Sequence, residues 1–140
     1  MKAKQSETEP TPNSAHEAAF VAAFVIPDKC SRYLEFLSKP KRRNEILGRF
    51  NHFFDFIPEC ATRIPRGSAS ELAQMLRRRG AGRHGYVIGG DRDACELPLE
   101  EAIDSSLASP CGAVISCVPG RLALYLQEFP PGDTFILNSK

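Results

Sequence analysis

The chain of 140 residues contains no C-x-x-C pair, and its five cysteines, Cys30, Cys60, Cys95, Cys111 and Cys117, are odd in number. The missing pair argues against a zinc ribbon, and the odd count argues against a disulfide framework. No metal site and no cofactor is expected. The first strongly apolar run, AAFVAAFVI at 18–26, is about half the length that a bilayer-spanning helix needs. The opening MKAKQSETEPTPNSAHE lacks the apolar core of a secretory signal. These absences lead to the expectation of a cytoplasmic protein with reduced thiols and no membrane association. There is no internal repeat. The Gly-x-Gly at 80–82 matches neither a P-loop nor a dinucleotide fingerprint, because no strand precedes it and no helix follows.

Net charge is also scarce, at +1. Its distribution is uneven. Residues 28–83 hold thirteen Lys and Arg against six Asp and Glu, whereas residues 84–140 hold three against eight. A basic first half and an acidic second half either present two faces of opposite sign or cancel by internal pairing. A hydrophobic content of 42% with 25% charged residues is that of a globular chain, not of a disordered or collagenous one.

Residues 1–13 are polar, carry Pro10 and Pro12, and read as a disordered tail. Ser14-x-x-Glu17 is a capping-box pattern ahead of 18–26, where Phe20 and Phe24 favour a helix and the unbroken Phe/Val/Ile content also suits a strand. A second helix starts near Asp28, its expected N-cap, with Cys30, Tyr33, Leu34 and Leu37 on one face. A third is expected from about Pro40 to Phe54. The two Ile-Pro steps at 57–65 imply an extended connector. Ser68-x-x-Glu71 opens a fourth helix that Gly80 ends. HGYVIGG reads as a strand, LPLEEAIDSSLAS as a helix, GAVISCV-PG-RLALYLQEF as a hairpin and TFIL as a last strand. The expected fold class is α+β: N-terminal helices packed on a small, mainly antiparallel C-terminal sheet with one inserted helix (β-α-β-β-β), in one domain at 14–140.

Two segments invite a nucleic-acid reading. In SKPKRRNEILGRFNHFFDF, winding at 3.6 residues per turn places Ile46, Leu47, Phe50, Phe53, Phe54 and Ile57 on a buried face. Lys41, Arg42, Arg49 and His52 fall opposite, with Lys39 nearby and Glu45 among them. The i,i+4 pairs Lys41–Glu45 and Glu45–Arg49 make a solvated face the simpler reading. A phosphate-contacting stripe of Lys39, Lys41, Arg42 and Arg49, joined by Arg77, Arg78 and Arg83 from RRRGAGRHG, is the alternative. The aromatics point inward and cannot stack on bases. His52 and Asp55, at i,i+3, are candidates for a metal pair or an oriented base but lack a third ligand. His16 is placed beside the tail, and His84 after a Gly-rich turn. Asp91 and Asp93 in GGDRD either share a cation or form a solvated turn. Cys111 and Cys117 read as buried hydrophobes on one side of a strand.

The run YLEFLSKPKRR…NHFFDF, the IP after it and SCVPGRLALY resemble small uncharacterised bacterial proteins, a resemblance that spans roughly residues 20–137 and implies no activity. With no nucleophile–base pair and no phosphate loop in the chain, the expectation is a non-catalytic module whose partner is another protein. Nucleic-acid binding through the basic first half comes second. An enzyme built on His52, Asp55, Asp91 and Asp93 comes third.

Overall fold

Along LALYL the side chains alternate between two apolar cores: Leu122, Leu124 and Leu126 enter one, Ala123 and Tyr125 the other. Such alternation is what a strand covered on both faces requires. In the computed structural model, which describes residues 13–52, 54–128 and 132–139, helices cover both faces of a central sheet.

The elements in chain order are α1 (Ser14–Phe24), α2 (Pro27–Leu37), α3 (Arg43–Leu47), α4 (Arg49–His52), a 3-10 turn at Pro58–Cys60, β1 (Ala61–Ile64), α5 (Ala69–Arg78), β2 (His84–Ile88), β3 (Glu96–Pro98), α6 (Leu99–Ala108), β4 (Ala113–Val118), β5 (Leu122–Leu126) and β6 (Thr134–Asn138). The sheet has the order β1-β6-β5-β4-β2-β3, with every neighbouring pair antiparallel. The N-terminal helices pack on the face that carries Tyr86, Ile88, Val114 and Tyr125. Helices α5 and α6 pack on the face that carries Val87, Ile115 and Leu124. The class is α+β, as expected. The single inserted helix becomes two, and β1 and β3 are additional edge strands.

Local chemistry explains several boundaries. Helix α5 opens on a complete capping box: Ser68 Oγ accepts from the Glu71 amide at 3.2 Å and Glu71 Oε1 from the Ser68 amide at 3.0 Å. It closes where Gly80 takes φ +115° and the Ala81 amide reaches back to the Leu76 carbonyl. Gly85 lets α6 lie close to the sheet, since a Cβ there would stand 2.6 Å from Ile115 Cγ2 and 3.3 Å from Leu99 Cδ1.

Other boundaries differ from expectation. The cap of α1 is Asn13, whose side chain accepts from the His16 amide. Asn13 is therefore part of the fold, and the rest of the expected tail, 1–12, lies outside the described residues. Helix α2 starts at Pro27 after Ile26, so Asp28 lies in the first turn and is not the cap. Leu34 stays 41% exposed while Tyr33 and Leu37 are buried. The helix expected from Pro40 to Phe54 is two short ones. Tyr125 donates its hydroxyl to the Phe50 carbonyl, the acceptor that a continuing helix would have offered to residue 54. The chain then pairs with the end of α1, through Ile26 N–H to the Asp55 carbonyl and Ile57 N–H to the Phe24 carbonyl. Ile46, Leu47 and Phe50 are buried as expected, but Phe54 is 38% exposed, and Phe53 lies outside the described residues.

Phe50 packs among Tyr33, Phe56 and Tyr125 and is fully buried. Phe50→Ala should lower stability by about 3–5 kcal/mol in urea denaturation, whereas Lys41→Glu, on an exposed site, should change it by less than about 0.5 kcal/mol. A Phe50→Ala cost no larger than that of Lys41→Glu would contradict this packing.

Candidate functional site

Arg43 lies one helical turn before Ile46 and Leu47, so α3 carries its guanidinium to the buried side. Glu17 stands in the same relation to Phe20 and Val21 on α1. The two groups meet in the core: Arg43 Nη1 donates to Glu17 Oε1 at 3.0 Å and Nη2 to Oε2 at 2.5 Å. The other edge of the guanidinium grips Asp93, with Nε to Oδ2 at 2.7 Å and Nη2 to Oδ1 at 2.9 Å. Nη1 also donates to the Leu37 carbonyl at 3.0 Å. The carboxylates have further donors: Tyr86 gives its hydroxyl to Glu17 Oε2 at 2.6 Å, and the Gly89 amide donates to Asp93 Oδ1 at 2.8 Å. Burial works against the Arg43 charge, but the hydrogen bonds from Arg43 to Asp93 and Glu17 outweigh it and hold the guanidinium above its ordinary pKa. The Tyr86 hydroxyl is pushed up by burial first and by Glu17 second. Among the described residues, no buried side-chain nitrogen or oxygen is without a partner.

Above this cluster opens a cleft of about 700 Å³. Glu17, Arg43 and Asp93 form its polar floor, and Ala18, Leu34, Leu37, Pro40 and Ala94 contribute apolar walls. Both carboxylates are held bidentately, so neither is a free general base. The cleft can accept an apolar side chain against a fixed polar floor.

A second ionic group joins α2, α4 and the segment after it. Arg49 binds Asp55 through both nitrogens, Nε–Oδ2 at 2.5 Å and Nη2–Oδ1 at 3.1 Å, and Tyr33 donates to Oδ2 at 2.7 Å. Burial raises the Asp55 pKa, yet the hydrogen bonds from Arg49 and Tyr33 prevail and hold it below its ordinary value. Asp55 is thus committed to Arg49 and Tyr33. The side chain of His52, its expected companion, lies outside the described residues. His16, expected beside the tail, is half-buried in α1, stacks on Tyr86 at 4.9 Å and shares a hydrogen bond of 2.6 Å with Ser116 Oγ. Desolvation lowers its pKa despite the acids nearby.

The basic residues divide by layer. On the N-terminal side Lys39 pairs with Glu35, and Arg42 pairs with Glu45 while lying 4.2 Å above the Phe36 ring. Glu45 is therefore engaged by Arg42, not by Lys41 or Arg49. Lys41 is exposed. Arg77, Arg78, Arg79 and Arg83 are exposed at the end of α5 and just after it, beyond the opposite face of the sheet, and no salt bridge involves them among the described residues. Asp91 is exposed while Asp93 belongs to the Arg43 cluster. Among the described residues no group of three His, Cys, Asp or Glu could hold a metal ion, and no helix is long and apolar enough to cross a membrane. Cys111 is exposed and precedes β4, so it is neither buried nor on the strand with Cys117, which lies within β4 and is partly buried. Burial pushes the Cys117 thiol up to about 12, so it is not a thiolate at neutral pH.

The lowered pKa of Asp55 sets a pH dependence. Its contribution to stability is complete above the unfolded carboxylate pKa of about 4 and is lost as pH falls through the lower folded value. The stability gap between the wild type and Asp55→Asn, followed by urea denaturation, should therefore be widest at neutral pH and narrow below about pH 4. A gap that stays constant into acid would contradict this assignment.

Comparison of the chain with protein-family models, with curated proteins and with solved structures finds no match, which leaves the geometry to carry the functional reading.

Proposed function

We propose that the protein is a non-catalytic binding module that engages another protein at the cleft between α1, α2, α3 and the turn before β3. One observation carries this reading: the charged groups of the cleft, Glu17, Arg43 and Asp93, are bound to one another, while the lining residue Leu34 is 41% exposed. A large side chain held open to water beside an apolar wall gains most from burial against a partner. The five thiols form no disulfide, which supports a reducing, cytoplasmic setting. Nucleic-acid binding through the first half is less well supported. Lys39, Arg42 and Arg49 already have acidic partners, and Arg77, Arg78 and Arg83 belong to a different layer.

Affinity capture with the wild type and with Leu34→Glu tests the reading. The wild type should retain a protein through nuclease treatment and high salt, and Leu34→Glu should lose it with an unchanged melting temperature. Retention that nuclease abolishes, or that Leu34→Glu leaves intact, would contradict it.

A further inference from the structure

We propose that a second cleft, between the end of α5, the β4–β5 turn and the end of β6, binds a phosphate monoester as its dianion through Arg79 and Arg121. The cleft encloses about 630 Å³ and lies on the sheet face opposite to Leu34. Arg79 and Arg121 both line it, Asn138 and Ser139 add polar groups, and Val118 and Leu122 supply an apolar wall. Among the described residues no acidic side chain lines it.

What sets Arg79 and Arg121 apart is the shared cleft: Arg32, Arg77, Arg78 and Arg83 are also exposed without a salt bridge among the described residues, but none of them lines it. Arg42, Arg43, Arg49, Arg63 and Arg92 each pair with a carboxylate, and Arg66 donates to Thr134 and to two carbonyls. Arg79 and Arg121 form no salt bridge among the described residues, although both are exposed at one cleft. Two like charges that share a concavity repel each other unless an anion lies between them. Arg77, Arg78 and Arg83 deepen the positive potential nearby. The α5 C-terminus opposes this with its partial negative charge. That effect is small here, because the Gly80 and Ala81 amides cap its last carbonyls and three arginines follow one another there.

Charge matching selects the ligand class. A monoester carries nearly two negative charges at neutral pH and offers three acceptor oxygens, which two guanidinium forks can satisfy. A carboxylate or a backbone phosphodiester carries one. The apolar wall suits the organic part of the ester.

The test is a titration of the full chain, labelled with 15N, followed by amide shifts. Phenyl phosphate should give saturable shifts confined to residues around 79–81, 118–122 and 138–139. Inorganic phosphate should bind more weakly at the same amides, and benzoate and a short oligodeoxynucleotide more weakly still. Arg79→Gln and Arg121→Gln should each weaken phenyl phosphate binding about tenfold with an unchanged melting temperature. Leu34→Glu should bind phenyl phosphate like the wild type, which keeps this result separate from that of the other cleft. Several results would overturn the proposal: no saturable shift up to about 10 mM, equal shifts around Lys41, indifference to both substitutions, or tighter binding of the oligodeoxynucleotide.

Discussion

Helices α1 and α2 and the turn between β2 and β3 converge on the Arg43 guanidinium of α3. It is 7% exposed and holds Glu17 of α1, the last carbonyl of α2 and Asp93 of the turn between β2 and β3. Side-chain packing between these elements alone would tolerate sliding. A planar fork with bidentate partners on two edges does not. The cost of removing the charge from water is large, and it is offset only because two carboxylates and a carbonyl surround the guanidinium. Loss of either carboxylate would leave the buried guanidinium under-compensated, which ties the fold to this arrangement.

The same interaction shapes the functional reading. The basic first half looks like a field that could attract polyanions, yet much of its charge is used internally or by local pairs. Two clefts open on opposite faces of the sheet. One has an exposed leucine over a closed ionic floor, and the other has two arginines and, among the described residues, no acid. The two clefts differ in chemistry, one apolar over a closed ionic floor and the other basic.

How much of this could be read from the chain depends on range. Short-range signals worked: the Ser68–Glu71 box, Gly80 as a helix stop, and the β4–β5 hairpin with its Pro119-Gly120 turn, Gly120 at φ +70°, all appear where the residues imply. Strands β1 and β3 did not stand out, because they are short and lie at the edges, where one neighbour supplies all the pairing. The ionic cluster was missed for another reason. Its members lie 26 and 50 residues from Arg43. Each also had a plausible local role: Glu17 in a capping box, Asp93 in a solvated turn, Arg43 as one more basic residue. A signal was present all the same. Glu17 precedes Phe20, Val21 and Phe24 by three, four and seven residues, and Arg43 precedes Ile46, Leu47 and Phe50 by the same intervals. Opposite charges that each extend an apolar helical stripe by one turn point to a buried pair.

The most direct test of the clasp is a double-mutant cycle between Glu17→Gln and Asp93→Asn, read by urea denaturation. The two acids are not bonded to each other, so their coupling arises from the shared Arg43 guanidinium and from their mutual repulsion beside it. Each single change leaves the guanidinium one carboxylate, whereas both together leave it buried without a counter-charge. The double variant should therefore lose about 1–3 kcal/mol more than the sum of the singles. Additivity within about 0.5 kcal/mol would show that Arg43 does not join the two elements, and the account built on it would fail.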